Sequence, residues 1–128
     1  MSSLASADAI DLTRPSTELT RLLCDIPSVS GDEAAIADTI EAALSPFEHL
    51  EVLRLGNTIV ARTSLGRTQR VAIAGHIDTV PINENLPTRS EVLTPEQAAA
   101  DVPGTPAGEY LWGRGTVDMK AGVAVQLR

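Results

Sequence analysis

Residues 71–75 are apolar or glycine at every position, and this run most constrains what the chain can fold into. Polar turn residues come before it at 66–70, and His76 follows it directly. A short, continuously apolar run bounded by turns is typical of a strand covered on both faces, as at the centre of an α/β sheet. Because helix-forming segments precede this run, the order of elements predicts an α/β fold in which helices and a sheet form layers.

Two amphipathic helices are predicted before that strand, after a flexible lead-in over residues 1–14. The first begins at Pro15 and ends before Pro27, because a residue that precedes proline avoids the α region. The second follows a predicted capping box, in which Ser30 is the N-cap and Glu33 reaches back to it. Both segments carry apolar side chains at helical spacing: Leu19, Leu22, Leu23 and Ile26 in the first, and Ile36, Ile40, Ala43, Leu44 and Phe47 in the second.

The spacing then changes to that of strands. Residues 50–55 and 58–62 are short and rich in β-forming side chains. Gly56-Asn57 stands between them as a two-residue hairpin signal. The sequence therefore predicts a β-hairpin after the second helix.

Residues 81–109 contain five prolines and predict a long irregular connection, of the kind that tends to be functional or mobile. A short strand is predicted at 110–112 and a tight turn at 113–116. The first turns of a last helix follow Asp118. This final apolar segment stops without a cap, which predicts that the chain is the amino-terminal part of a longer polypeptide.

The charge and the single cysteine limit the classes of partner. Seventeen acidic against ten basic side chains give a net charge of −7, which argues against a nucleic acid or an anionic membrane as a partner. No apolar run approaches the ~18–20 residues of a membrane span. One cysteine, Cys24, cannot form an internal disulfide, and a buried thiol and a cytoplasmic location are expected.

His76 is the first candidate for chemistry, because it stands where the predicted strand ends. In a strand, His76 and Asp78 project from the same face, and ligands bind at the carboxyl ends of strands in open α/β sheets. A neutral imidazole is a good zinc ligand, and a nearby carboxylate is its usual orienting partner. The alternative is a structural hydrogen bond between His76 and Asp78. The other histidine, His49, is interpreted as a solvated surface side chain.

Asp118 is the second candidate, and taken alone it could also be a helix N-cap. Gly113 and Gly115 resemble part of a nucleotide-binding loop, but the required third glycine and a P-loop are missing, and no serine nucleophile elbow exists. A hydrolytic zinc site takes three protein ligands and a water. The residues therefore predict half of a metal site.

The stretches 75–81 and 113–122 together resemble the zinc amidohydrolase family of acetylornithine deacetylases, succinyl-diaminopimelate desuccinylases, aminoacylases and glutamate carboxypeptidases. The joint at 27–33 is similar to the amino-terminal signature of that family, and the resemblance runs from about residue 15 to Arg128. Residues 85–87 are most similar to desuccinylases of the actinobacterial type. The resemblance implies that 15–128 form the amino-terminal part of a three-layer catalytic domain with a mixed sheet flanked by helices.

The resemblance also implies the chemistry. His76 would bind one zinc ion, Asp118 would bridge two, and Asp78 would be the catalytic residue that orients the His76 ring. Cobalt could replace zinc, and the peptide bond after Asp118 is expected to be cis. The parent protein would remove succinate from N-succinyl-LL-2,6-diaminopimelate, with acetylornithine or another N-acyl amino acid as the alternative substrate and a non-catalytic α/β binding module as the alternative function.

The remaining ligands of the family, its Glu-Glu pair and the domain that mediates dimerisation would all lie beyond Arg128. We therefore expect a homodimer only for the full-length protein. The 128-residue chain is predicted to bind zinc weakly and to be inactive alone, because two ligands supply little of the energy that couples a metal to folding.

Overall fold

The computed structural model describes residues 10–101 and 103–128. In chain order these residues form helix α1 (Ser16–Cys24), helix α2 (Ala34–Leu44), strands β1 (Glu51–Leu55) and β2 (Thr58–Arg62), strand β3 (Arg89–Leu93), helix α3 (Pro95–Asp101), strand β4 (Gly108–Trp112) and helix α4 (Ala121–Leu127). An irregular turn over Thr116–Lys120 leads into α4. The predicted α/β class is confirmed.

Helices α1, α2 and α4 form the core, to which α1 and α2 contribute the faces that the sequence spacing predicts. Their buried side chains are Leu19, Leu23, Ile36, Ile40, Ala43, Leu44, Val123 and Ala124. Leu12, inside the predicted lead-in, is also buried in this core, whereas residues 1–9 of the lead-in lie outside the described residues. In the described parts of the chain, no helix has the length and hydrophobicity of a membrane span.

The strands form two separate antiparallel hairpins. β1 pairs with β2 around the predicted turn, with Leu55 opposite Thr58. β3 pairs with β4, with Leu93 opposite Gly108. The only parallel pairing among the described residues is a single bridge between Val29 and Thr79. The described residues therefore contain two antiparallel pairs and one parallel bridge.

The prediction of a buried strand at residues 71–75 is wrong for this chain. The segment pairs with no strand of the described residues, and Val71 and Ile73 are 88% and 74% exposed. A strand is buried on both faces only when neighbouring strands and covering helices are supplied from elsewhere in the chain. Here the described residues supply one hydrogen bond to the segment, in which the Gln126 side-chain amide donates to the Ala74 carbonyl at 3.2 Å.

The capping box at Ser30 is also wrong. The N-cap of α2 is Glu33, which makes no side-chain capping hydrogen bond, and its carboxylate accepts instead from the Gly31 N–H at 2.5 Å. The Ser30 hydroxyl has a different partner, described below. A reciprocal capping box does occur at α3, where Gln97 Oε1 accepts from the Thr94 N–H at 2.9 Å and Thr94 Oγ1 accepts from the Gln97 N–H at 3.3 Å.

The prediction that residues 81–109 form an irregular connection is wrong in part, because β3, α3 and the start of β4 lie within it. This second hairpin is joined to the end of α1 by Asp25. Its carboxylate accepts from the Thr88 N–H at 2.6 Å and from the Thr88 hydroxyl at 3.0 Å. The tight turn at 113–116 is confirmed, since the Thr116 N–H donates to the Gly113 carbonyl at 3.3 Å.

Candidate functional site

The chain from His76 to Thr79 is held by the joint between α1 and α2. Two backbone hydrogen bonds form the parallel bridge, from Thr79 N–H to the Ser28 carbonyl at 2.8 Å and from Ser30 N–H to the Thr79 carbonyl at 2.9 Å. The buried Ser28 hydroxyl donates to the Ile77 carbonyl at 2.6 Å. These bonds fix the backbone on both sides of Asp78.

Asp118 reaches the same place from the other direction, on the turn that precedes α4. Gly115 begins that turn with φ 86°, a left-handed conformation that favours glycine. A Cβ at Gly115 would stand 2.9 Å from Thr79 Cγ2, so glycine also permits the close approach of the two segments. The peptide bond between Asp118 and Met119 is cis, as the resemblance predicts.

The two predicted ligands meet. His76 Nε2 lies 2.9 Å from Asp118 Oδ1, although 42 positions separate the two residues in the chain. On the other side of the ring, His76 Nδ1 lies 3.1 Å from Asp78 Oδ1 and 3.1 Å from the Asp78 carbonyl. The His76 side chain is 46% exposed and that of Asp118 is 85% exposed, so the pair is open to solvent.

Both nitrogens of the His76 ring therefore face acceptor oxygens. The hydrogen bond with Asp118 raises the pKa of His76, against a smaller opposing effect of desolvation, and the Asp78 carbonyl adds to the increase. The Ser30 hydroxyl, which donates to Asp78 Oδ2, is the largest cause of the lowered pKa of Asp78. The site thus favours a proton or another cation on Nε2 while Asp78 stays ionised.

The donor set fits a divalent metal ion in chemistry and in position. Two zinc ligands at about 2.0–2.1 Å in a tetrahedral arrangement lie about 3.3 Å apart, so the His76–Asp118 pair needs to open by only a few tenths of an ångström. With a metal on Nε2, the Nδ1–H of His76 would donate to Asp78, the usual arrangement of an orienting carboxylate. In residues 10–101 and 103–128, however, no group of three or more His, Cys, Asp or Glu side chains is placed to hold a metal ion.

Two residues of the site were not predicted from the sequence to act there. The sequence predicts Ser30 as a helix cap, although it lies in the joint whose sequence resembles the family signature. Lys120 has no predicted role, and it is 1% exposed. Burial lowers the pKa of Lys120. Its Nζ donates to the carbonyls of Leu23 at 3.0 Å and Ile26 at 2.8 Å.

The other two candidates match their predictions. Cys24 is buried, and desolvation raises the pKa of its thiol to about 11, which makes it unreactive. His49 is exposed, and its ring lies against the ring of Phe47.

Comparison with known proteins shows what a part of the chain is similar to. Residues 72–128, which contain all three predicted site residues, match the family described as Peptidase family M20/M25/M40. The predicted resemblance is therefore confirmed.

The individual relatives share one name. A protein of Mycobacterium tuberculosis (strain ATCC 25618 / H37Rv), provisionally named succinyl-diaminopimelate desuccinylase DapE, is 44% identical over 92% of this chain. The succinyl-diaminopimelate desuccinylase of Corynebacterium glutamicum is 45% identical over 92% of the chain, and that of Wolinella succinogenes is 32% identical over 86%. The matched part is 28–29% of each relative, so the chain spans less than a third of their length.

Proposed function

We propose that the whole protein is a dinuclear zinc amide hydrolase that removes succinate from N-succinyl-LL-2,6-diaminopimelate. The observation that carries this proposal is the distance of 2.9 Å between His76 Nε2 and Asp118 Oδ1, with Asp78 on the opposite ring nitrogen. The names of the relatives support the acyl group and the amino acid. A cytoplasmic location stays a prediction from the sequence.

Each residue has a separate task in this proposal. His76, through Nε2, and the Asp118 carboxylate would hold zinc, with Asp118 as the ligand shared by both ions, and Asp78 would accept the Nδ1–H of His76. Ser30 in turn holds Asp78 by donating to its second carboxylate oxygen. Two bound zinc or cobalt ions would polarise the amide carbonyl and lower the pKa of a water molecule.

Two ligands do not complete a hydrolytic site. We propose that the remaining ligands, the proton acceptor and a dimerisation domain correspond to the part of the relatives that this chain does not match. Residues 15–128 would then be the first part of the catalytic domain. The 128-residue chain alone would bind zinc weakly and release no succinate.

The test is made on the full-length protein, whose metal is first removed with a chelator. We expect succinate release from N-succinyl-LL-2,6-diaminopimelate to stop and to return when zinc or cobalt is added. N-acetylornithine, tested in parallel, distinguishes a deacetylase from a desuccinylase. Activity that is indifferent to the chelator would contradict the proposal, and a lack of turnover with every N-acyl amino acid would favour a non-catalytic binding module.

Variants test the role that is proposed for each residue. His76→Ala and Asp118→Ala are expected to reduce activity to the background level, whereas the matched control His49→Ala keeps it. An Asp118→Ala enzyme with normal turnover would remove Asp118 from the site.

A further inference from the structure

Lys120 is the only lysine of the chain, and its ammonium group makes hydrogen bonds within the protein. The Nζ atom donates to the carbonyls of Leu23 and Ile26, at the carboxyl end of α1. The last carbonyls of a helix have no partner within the helix, and a cation is favourable there. A leucine or methionine would fill the same volume without the cost of desolvating a charge. The position of the charge therefore calls for an explanation beyond packing.

The end of α1 leads directly into the joint that holds the His76 segment. Ser28 binds the backbone of Ile77 and Thr79, and Ser30 binds the carboxylate of Asp78. Any group that fixes the end of α1 therefore fixes the backbone from which His76 projects.

The backbone of Lys120 belongs to the other half of the site. Lys120 follows Asp118 by two positions, and its N–H donates to the Gly115 carbonyl at 2.8 Å. A Cβ at Gly115 would lie 3.2 Å from Lys120 Cδ, so the lysine stem is packed against the start of this turn. These hydrogen bonds connect the Asp118 turn, through Lys120 Nζ, to the end of α1, and from there through the joint to His76. The contact between His76 and Asp118 closes the series into a ring.

We propose that Lys120 is a positioning residue, which holds the Asp118 carboxylate against His76 Nε2 by fastening the Asp118 turn to the end of α1. The inference rests on the proposed function only where it concerns metal affinity. The geometry of the pair can be tested without any metal.

The first test uses nuclear magnetic resonance on the metal-free 128-residue chain. Met1 and Met119 are the only methionines, so methyl labelling of methionine gives two signals. Met119 Cε lies 3.2 Å from the position of a Cβ on Gly75, and an Overhauser contact between the Met119 methyl and the Gly75 protons therefore reports that the turn is seated beside the His76 segment. We expect Lys120→Leu to lose this contact and Lys120→Arg, which keeps the donors, to retain it.

A matched control separates positioning from general stability. Ile40 lies in the core on α2 and takes part in none of the hydrogen bonds of the ring, and Ile40→Ala removes a buried side chain. We expect Ile40→Ala to lower the free energy of unfolding while it keeps the Met119–Gly75 contact. The loss of the contact in both Ile40→Ala and Lys120→Leu, or its presence in both, would overturn the proposal.

The affinity for zinc is a second measurement. The direction in which it changes distinguishes a positioning role of Lys120 from a purely electrostatic one. Removal of a positive charge near a cation site should by itself strengthen zinc binding, whereas removal of a positioning residue should weaken it. We expect Lys120→Leu to weaken the affinity of the chain for zinc by about tenfold or more, as for other groups that orient ligands, and Lys120→Arg to stay near wild type. Stronger zinc binding by Lys120→Leu would overturn the proposal. A wild-type chain that binds no zinc would count against the proposed function, and the methyl contact would still decide the role of Lys120.

A third measurement needs no variant to fold. The side-chain amine of Lys120 should be protected from an amine-reactive ester in the folded wild-type chain and should react after unfolding in urea. Rapid modification of this amine under native conditions would show that Nζ does not hold the two carbonyls, and the proposal would fail.

Discussion

The apolar faces of helices α1 and α2 and the apolar residues 71–75 have opposite environments. Leu19 and Leu23 of α1 are almost completely buried, whereas Val71 and Ile73 are mostly exposed. An amphipathic helix satisfies its own backbone and needs only a second helix to cover its apolar face. A strand needs partners along both edges and on both faces, and these come from distant parts of the chain. Apolar content therefore predicts burial only for an element whose packing and pairing partners are also among the described residues.

The largest expected effect tests this difference directly. Leu23→Ala should reduce the free energy of unfolding by about 2–5 kcal/mol, because it leaves a cavity in the helical core. Ile73→Ala should change it by less than about 0.5 kcal/mol, as for other exposed positions. Urea unfolding of the two variants measures both values. An equal cost at the two sites would mean that residues 71–75 are buried in solution.

A pair of glycines sharpens the comparison between packed and open regions. Gly115 and Gly104 both have φ 86°, but only Gly115 has a neighbour, Thr79 Cγ2, within reach of a Cβ. Gly104→Ala should cost about 1 kcal/mol from backbone strain alone. Gly115→Ala should cost at least about 1 kcal/mol more, because the Asp118 turn must move away from Thr79. Equal unfolding free energies would show that the close approach is not essential.

Two serines compare the anchored segment with an exposed helix end. Ser28 is buried and donates to the Ile77 carbonyl, whereas the exposed Ser45 donates to the Glu41 carbonyl at the end of α2. Ser28→Ala should cost about 1 kcal/mol or more, since it leaves the part-buried Ile77 carbonyl without its partner. Ser45→Ala should have almost no effect, because water replaces the hydroxyl. Both are measured by urea unfolding, and a neutral Ser28→Ala would weaken the case that the joint fixes the His76 segment.

The smallest expected effect is on proton binding at His76. The Asp118 hydrogen bond raises the pKa of His76, so protonated His76 stabilises the folded chain at low pH, and this stabilisation is lost as the pH rises through the raised value. Asp118→Asn should lower the pKa of His76 towards its ordinary value, as measured by an imidazole titration with nuclear magnetic resonance. An unchanged pKa would indicate that the two side chains do not interact.

The sequence predicted what depends on local spacing and local turns. The faces of α1 and α2 follow from their apolar periodicity, and β1 and β2 follow from the turn at Gly56-Asn57. The capping box of α3 follows from the same kind of local spacing, between Thr94 and Gln97, within a proline-rich stretch. Such local signals predict the structure correctly wherever no group from a distant part of the chain competes for the same hydrogen bonds.

Long-range partners explain the failures. Ser30 has the spacing of a helix cap, but the Asp78 carboxylate, 48 positions away, takes its hydroxyl. The role of Lys120 depends on carbonyls 97 and 94 positions earlier. His76 and Asp118 are candidates from their local sequences, and the two stretches that contain them carry the family resemblance together. The distance between the two side chains could be known only from the fold.

The most direct test of the central claim is a zinc titration of the 128-residue chain with ¹⁵N-labelled histidine, because His76 and His49 are its only histidines. We predict that zinc shifts the Nε2 signal of His76, that the signals of His49 stay in place, and that Asp118→Ala abolishes the shift. Zinc that binds at His49, or at His76 with equal strength in the absence of the Asp118 carboxylate, would contradict the claim that His76 and Asp118 form one metal-binding pair.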